Sequence, residues 1–198
     1  LASYIFPQVV SAIKSALPDL KLMLIEEKTA TLLDQIRAGT IDAAFVALPA
    51  GDNNLSETPL FDDVFMLAVP ANHELTRAAK VDQSILKKYE LLLLDEGHCL
   101  REQALDVCHI HGGHEQMGFR ATSLETLRQM IKAGTGITLM PKVAIPAQDE
   151  DICYIPFRDP APSRTIGLVW RKTSARSLLI ERLVKLLKPI LSGTELLP

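Results

Sequence analysis

Two of the chain's 3 cysteines and four of its 5 histidines fall between His98 and His114. That stretch reads His98-Cys99-Leu100-Arg101-Glu102-Gln103-Ala104-Leu105-Asp106-Val107-Cys108-His109-Ile110-His111-Gly112-Gly113-His114. Three chemistries are open to these residue types. As inert core, Cys108 between Val107 and Ile110 suits a small apolar position, whereas Cys99 follows the polar run Asp95-Glu96-Gly97-His98 and suits it less. As a metal centre, Cys99, Cys108, His109, His111 and His114 offer zinc-type donors. Structural zinc sites, however, pair ligands about 2 to 4 residues apart on each arm, and the two cysteines stand farther apart than that. As a thiol switch, Cys99 falls where an apolar strand gives way to a helix, and helix N-terminal amides stabilise a thiolate. His98 and Arg101 would add positive charge there, while Asp95 and Glu96 oppose it. A peroxide converts such a thiolate to a sulfenic acid, which a second thiol condenses with to form a disulfide. Cys108 is the nearest candidate in sequence.

Geometry gives the switch reading its content. Over the interval from Cys99 to Cys108 an α-helix rises about 13.5 Å and turns about 900°, so the two side chains leave opposite faces. A disulfide needs Cα atoms roughly 4.4 to 6.8 Å apart. If the segment is helical when reduced, bonding has to unwind it.

Other motifs are weak. There is no G-x-S-x-G elbow, H-E-x-x-H pair, P-loop or G-x-G-x-x-G in the chain. Gly134-Thr135-Gly136 reads as a helix stop, and the acids Asp62-Asp63 and Asp149-Glu150-Asp151 read as solvated loop charges. Cys153, in Ile152-Cys153-Tyr154-Ile155, is expected to be buried in a strand. No metal and no cofactor are expected.

The elements that must carry these residues follow from pattern. The chain has 198 residues, 47% hydrophobic and 23% charged, enough for one large domain or two small lobes. A net charge of -3 provides no basic field for a phosphate backbone, so this segment is not expected to grip nucleic acid by itself. No run approaches the ~18 apolar residues of a membrane span. The helical pattern near the C-terminus reads as a sheet-packing face, and the start at Leu1, without a basic n-region, reads as a trimmed end rather than a signal peptide. Three cysteines are too few for a disulfide scaffold, which points to a reducing, cytoplasmic compartment.

Helical spacing over 4–17 stops at Pro18; Leu20–Ile25 reads as a strand, Thr31–Ala38 as a helix capped by Gly39, and Asp42–Leu48 as a strand. A turn at Gly51-Asp52-Asn53-Asn54 precedes an extended run, Val64–Val69, and Leu91–Leu94 reads as a buried strand. Ser123 is placed to cap a helix ending at Gly134, with Ile137–Met140 following as a strand. Ile152–Phe157 and Thr165–Trp170 read as extended, and a helix over Ser174–Leu191 closes the chain. Strands separated by helices predict an α/β fold with largely parallel sheets. One unit recurs: Leu32-Leu33-Asp34-Gln35-Ile36-Arg37-Ala38-Gly39-Thr40 is similar to Leu127-Arg128-Gln129-Met130-Ile131-Lys132-Ala133-Gly134-Thr135, and each leads into a short apolar strand ending in Pro. The repeat predicts two similarly built lobes with a crevice at the carboxyl ends of their strands.

Gly97-His98-Cys99-Leu100-Arg101 with Cys108 beyond it resembles the regulatory domain of the peroxide-sensing LysR-type transcription factors. So do Phe119-Arg120-Ala121-Thr122-Ser123-Leu124-Glu125-Thr126-Leu127-Arg128, Ala133-Gly134-Thr135-Gly136-Ile137-Thr138-Leu139 and Arg164-Thr165-Ile166-Gly167-Leu168-Val169, and the resemblance runs over essentially the whole chain. It implies an α/β fold of two Rossmann-like lobes, like a periplasmic binding protein. Lobe I would be 1–63 and 168–198, and lobe II 64–167, with crossovers near Asp63 and Gly167. The resemblance makes Cys99 the peroxidatic cysteine and Cys108 the resolving one, and puts Thr29, His98 and Arg164 in a peroxide pocket. It places the first strand of lobe I, with another pocket Thr, ahead of Leu1, together with a winged helix-turn-helix and a linker helix. The implied partners are hydrogen peroxide, a second copy of this segment in a homodimer (a tetramer at full length), DNA through the N-terminal domain only, RNA polymerase, and thiol reductants that reset the switch. The resemblance implies no membrane partner, and a regulator rather than an enzyme. The alternatives are a LysR-type effector domain that binds a small organic ligand in the interlobe cleft, and a thiol peroxidase. Catalytic turnover with a reductant would distinguish the last from a sensor oxidised once per chain.

Overall fold

The computed structural model describes residues 1–96, 99–111 and 114–192; for Cys108, His109, Ile110, His111 and Met117 it describes the backbone alone. The chain divides into two units, Leu1–Asp63 with the segment from Arg164 onward, and Val64–Ser163. The return crossing falls at Arg164, ahead of the expected Gly167. Arg164 and Thr165 are tied by side-chain hydrogen bonds to Asp63 and Asp62 and so go with the first unit.

In the first unit, apolar residues at four-residue spacing bury one face of α1 (Ala2–Ala16) through Ile5, Val9 and Ile13. Phe6 of this helix meets Phe45 edge-on, with ring centroids 6.3 Å apart. α2 (Thr29–Ala38) buries Leu33 and Ile36, and Gly39 ends it in the left-handed region at φ 76°. β1 (Ala43–Leu48) follows. Leu33 and Ile36 pack with Ala44, Val46, Leu55 and Val169 into one apolar cluster. β2 (Leu55–Pro70) is longer than its apolar core alone suggests and carries the chain out of this unit.

The chain returns on β7 (Ser163–Arg171), which pairs antiparallel with β1 from Ala43↔Trp170 to Leu48↔Thr165. Gly167 is a site of close approach: a Cβ there would lie 2.4 Å from Leu48 Cδ1 and 2.7 Å from the Thr58 carbonyl oxygen. α5 (Ser177–Ser192) buries Ile180, Val184, Leu187 and Leu191 and packs against α1. No helix among the described residues is long and apolar enough to cross a membrane.

Leu20–Ile25 is not a strand. A strand needs a hydrogen-bonding neighbour, none pairs with this segment among the described residues, and Met23, Leu24 and Ile25 are exposed.

In the second unit, the latter half of β2 is flanked by two antiparallel partners. β5 (Thr138–Pro141) pairs from Phe65↔Pro141 to Ala68↔Thr138, and β6 (Ile152–Pro156) from Met66↔Pro156 to Pro70↔Ile152. Cys153 lies on β6 as expected, but it is half-buried. Leu91–Leu94 of β3 (Glu90–Leu94) is buried throughout, and β3 pairs in parallel with β4 (His114–Ala121) across α3 (Cys99–His111). A parallel bridge, Leu91↔Ile137, and the Leu92 N–H donating to the Ile137 carbonyl at 2.9 Å hold β3 from its other side. α4 (Leu124–Lys132) buries Leu127 and Ile131. Its first turn is capped by the Ser123 hydroxyl, which accepts from the Thr126 N–H.

The mixed α/β class holds, but the expectation of largely parallel sheets does not. β1–β7, β2–β5 and β2–β6 are all antiparallel, and β3–β4 is the parallel pair among the named strands so described. The crossover helices that impose parallel pairing are outweighed here by long strands that return beside β2.

Candidate functional site

β3, α3 and β4 form a strand–helix–strand unit, and such units present the carboxyl end of the first strand and the N-terminus of the helix on one side. β3 ends at Leu94, the Asp95 N–H donates to the Ala121 carbonyl at 2.8 Å, and α3 begins at Cys99. Cys99 is the first described residue of that helix; it is a free thiol and half-buried. His98 and Gly97 lie outside the described residues.

Cys108 lies on the same uninterrupted helix. The rise from Cys99, about 13.5 Å, exceeds the roughly 4.4–6.8 Å that a disulfide spans, so this conformation holds the two residues apart. Of the remaining histidines in the stretch, His114 is exposed on β4, and the side chains of His109 and His111 lie outside the described residues. Among the described residues, no three His, Cys, Asp or Glu side chains converge on a point that could hold a metal ion.

α3 is seated by Leu100 and Ala104, both buried, and by Arg101, which is 6% exposed although charged. Arg101 donates through Nη1 and Nη2 to the two carboxylate oxygens of Glu115 on β4, each at 2.7 Å, and through Nη1 to the Leu94 carbonyl at 3.1 Å. Such a fork-to-fork pair is the strong form of an ionic hydrogen bond. Arg101 holds the Glu115 carboxyl below the ordinary range, against the opposing pull of partial burial, with help from Arg120. Arg120 lies 3.4 Å from the same carboxylate through Nε and donates through Nη1 to Glu96 at 3.0 Å. The positive charge expected of Arg101 near Cys99 is therefore already paired with Glu115.

Thr29 and Arg164 belong to the first unit. Thr29 opens α2 and is half-buried. Arg164 is buried on β7 and donates through Nε and Nη2 to one oxygen of Asp63 at 3.0 and 2.9 Å. Asp63, expected in solvent, is 1% exposed. Asp149 departs from expectation in the same way. Its carboxylate is buried and accepts from Arg128 Nη2 and the Tyr154 hydroxyl, each at 2.9 Å, with Lys132 Nζ at 3.1 Å. Burial pulls the Asp149 carboxyl upward, but Arg128, Tyr154 and Lys132 together outweigh it and hold the group below its usual range. Arg164 for Asp63, Arg101 for Glu115, and Arg128, Lys132 and Tyr154 for Asp149 all lie on other elements, so local sequence carries no signal of them; the adjacent acid at Asp62, which stays exposed and accepts from Thr165, shows how similar neighbours diverge.

The chain matches the family of LysR substrate binding domains over residues 1–191. It is 41% identical over 198 residues to a "Hydrogen peroxide-inducible genes activator" of Haemophilus influenzae, covering 97% of this chain and 66% of that protein. It thus spans about two thirds of the length of that relative. Among solved structures, it is similar to the reduced form of OxyR at TM-score 0.88 and 36% identity, covering 98% of this chain and 92% of that one. It is also similar to the oxidised form of OxyR at TM-score 0.86 and 38% identity, covering 96% and 91%.

Proposed function

The chain belongs to the LysR substrate-binding-domain family, and from that footing we propose that it is the regulatory part of a hydrogen-peroxide-responsive transcription regulator. Cys99 is the thiol that meets peroxide. Its thiolate attacks one peroxide oxygen and the O–O bond breaks, leaving a sulfenic acid on Cys99, while the departing hydroxide takes up a proton as water. The Cys108 thiol then attacks the sulfenic sulfur and releases a second water, so that two thiols and one peroxide give one disulfide and two waters.

Thr29, His98 and Arg164 are the groups that orient peroxide and stabilise the leaving hydroxide, in keeping with the donors such a step needs. The two units serve as regulatory lobes, the second carrying the cysteines. A second copy of this segment is the partner that receives the change, with a tetramer at full length. DNA is bound through an N-terminal domain, RNA polymerase reads the result, and cellular thiols reduce the disulfide again.

One observation carries this reading. Cys99 and Cys108 occupy one continuous helix, so a bond between them cannot form without unwinding it. A structural disulfide would favour a site already in register; a sensor needs the covalent event coupled to refolding. Burying or exposing one apolar side chain is worth about 1.5 to 3 kcal/mol, so Leu100, Leu105 and Val107 together have the leverage to tip a bistable packing.

The decisive experiment is peptide mapping by mass spectrometry after substoichiometric peroxide. A Cys99–Cys108 linked peptide is expected, with Cys153 still alkylatable. Stable over-oxidation of Cys99 with no linked peptide, or linkage through Cys153, would overturn the assignment.

A further inference from the structure

Cys99 is bracketed by a single ionic network. Glu96 precedes it and receives Arg120; Arg120 approaches Glu115; Glu115 grips Arg101, which follows Cys99 and also reaches back to the Leu94 carbonyl. Glu115 and Arg120 are both on β4, and Leu91 of β3 is the register partner of Glu115, so the anchoring side of the network is part of the sheet. The anchored side is the first turn of α3.

We propose that Glu115 is a positioning residue that latches the dithiol state: through Arg101 it fixes the first turn of α3 to β4, and the grip is released when Cys99 bonds to Cys108. This rests on the disulfide reading above and adds to it the group that sets how readily the switch is thrown.

The argument is geometric. A two-pronged guanidinium–carboxylate pair tolerates little rotation, because both N–H···O lines must be satisfied at once. The direction of the Arg101 side chain is set by the helix it sits on. Bringing the Cα atoms of Cys99 and Cys108 from about 13.5 Å to within about 6.8 Å removes that helix, and with it the alignment of Arg101. Glu115 stays on the sheet and loses both bonds while still partly buried, its side chain being 19% exposed. Arg120, 3.4 Å away through Nε, then stays beside the carboxylate but supplies neither of the two short bonds, and a partly buried charge stripped of its two-pronged partner loses more than the pair contributes on balance. The cost falls on the disulfide form, so the network favours the dithiol.

Glu115→Gln should therefore shift the dithiol–disulfide equilibrium toward the disulfide, by about tenfold, or about 30 mV to more negative potential for this two-electron couple. The measurement is a glutathione redox titration of the 198-residue chain, read by alkylation and mass spectrometry. Lys132→Met, which loosens the separate Asp149 cluster, serves as a control for general destabilisation and should leave the midpoint in place. Glu115→Asp should return part of the shift. A Glu115→Gln midpoint equal to that of the unaltered chain, or a shift of equal size in Lys132→Met, would overturn the latch. If the unaltered chain forms no Cys99–Cys108 disulfide at any poise, the disulfide reading fails instead. The latch is then judged by hydrogen exchange of the reduced protein, where Glu115→Gln and Arg120→Gln should each speed exchange across residues 101–108 and unchanged rates would sink it.

Discussion

Asp63 and Arg164 stand 101 positions apart in sequence, yet two nitrogens of the Arg164 guanidinium donate to one buried oxygen of Asp63. The pair sits where the chain leaves the first unit and where it returns. It therefore staples the two crossings and fixes the direction of the arginine proposed above to orient peroxide. Asp63→Ala removes both of these hydrogen bonds to a buried guanidinium and should cost about 1.5–3 kcal/mol, read from the shift in urea midpoint at constant slope. A loss below ~1 kcal/mol would mean that the pair is not an anchor.

The peroxide chemistry proposed for Cys99 separates the three thiols. Cys99→Ser should abolish rapid peroxide consumption, whereas Cys153→Ser, altering a half-buried strand position, should leave the rate nearly intact. Competition kinetics with a fluorogenic peroxide probe would compare the variants directly.

Cys108→Ser removes the proposed resolving partner. A sulfenic acid on Cys99 should then persist and be labelled by dimedone long after the unaltered chain has closed its disulfide. Equal labelling of both proteins at long times would remove Cys108 from the mechanism.

The Arg101–Glu115 pair also makes an acid-side prediction. Glu115 titrates lower in the folded protein than in the unfolded chain because Arg101 hydrogen-bonds its carboxylate. Its contribution to stability is therefore fully present above the unfolded value, about 4.3, and is lost as pH falls through the depressed folded value. Protection of α3 amides, corrected for intrinsic exchange, should be flat from neutrality down to about pH 5 and fall below that. In Glu115→Gln this acid dependence should flatten.

Gly167 is expected to reject any side chain. The added methyl of Gly167→Ala would meet Leu48 Cδ1, which can move, and the Thr58 carbonyl at 2.7 Å, which is backbone and cannot easily do so. A loss of about 1–3 kcal/mol is anticipated for such overpacking, measurable by thermal unfolding.

What could be read from sequence was what neighbouring residues decide. Ile5, Val9 and Ile13 announce α1, Gly39 its left-handed stop after α2, and Ser123 its cap on α4, because each feature is settled within one helical turn. The Cys99 region was legible as chemistry through residue type and spacing. What escaped depends on distant partners. Leu20–Ile25 has strand composition but no pairing neighbour among the described residues. β4, from His114 to Ala121, alternates too poorly to declare itself and owes its form to β3. Asp63 and Asp149 look like surface acids until Arg164 and Arg128 are brought to them.

β3 is fastened twice: to β4 on one side, and to Ile137 on the other through the Leu92 amide, with the Thr138 hydroxyl donating to the Leu92 carbonyl at 2.6 Å. In the proposed switch the covalent link from β3 to β4 is the very segment that unwinds, but the fastening to Ile137 owes that link nothing. The connection can thus be rewritten while the strands it joins keep their places, much as a cable is slackened between two bolted posts. Oxidation and reduction would then cycle through a local melting of α3, and the unit would never need to fold afresh to be reset.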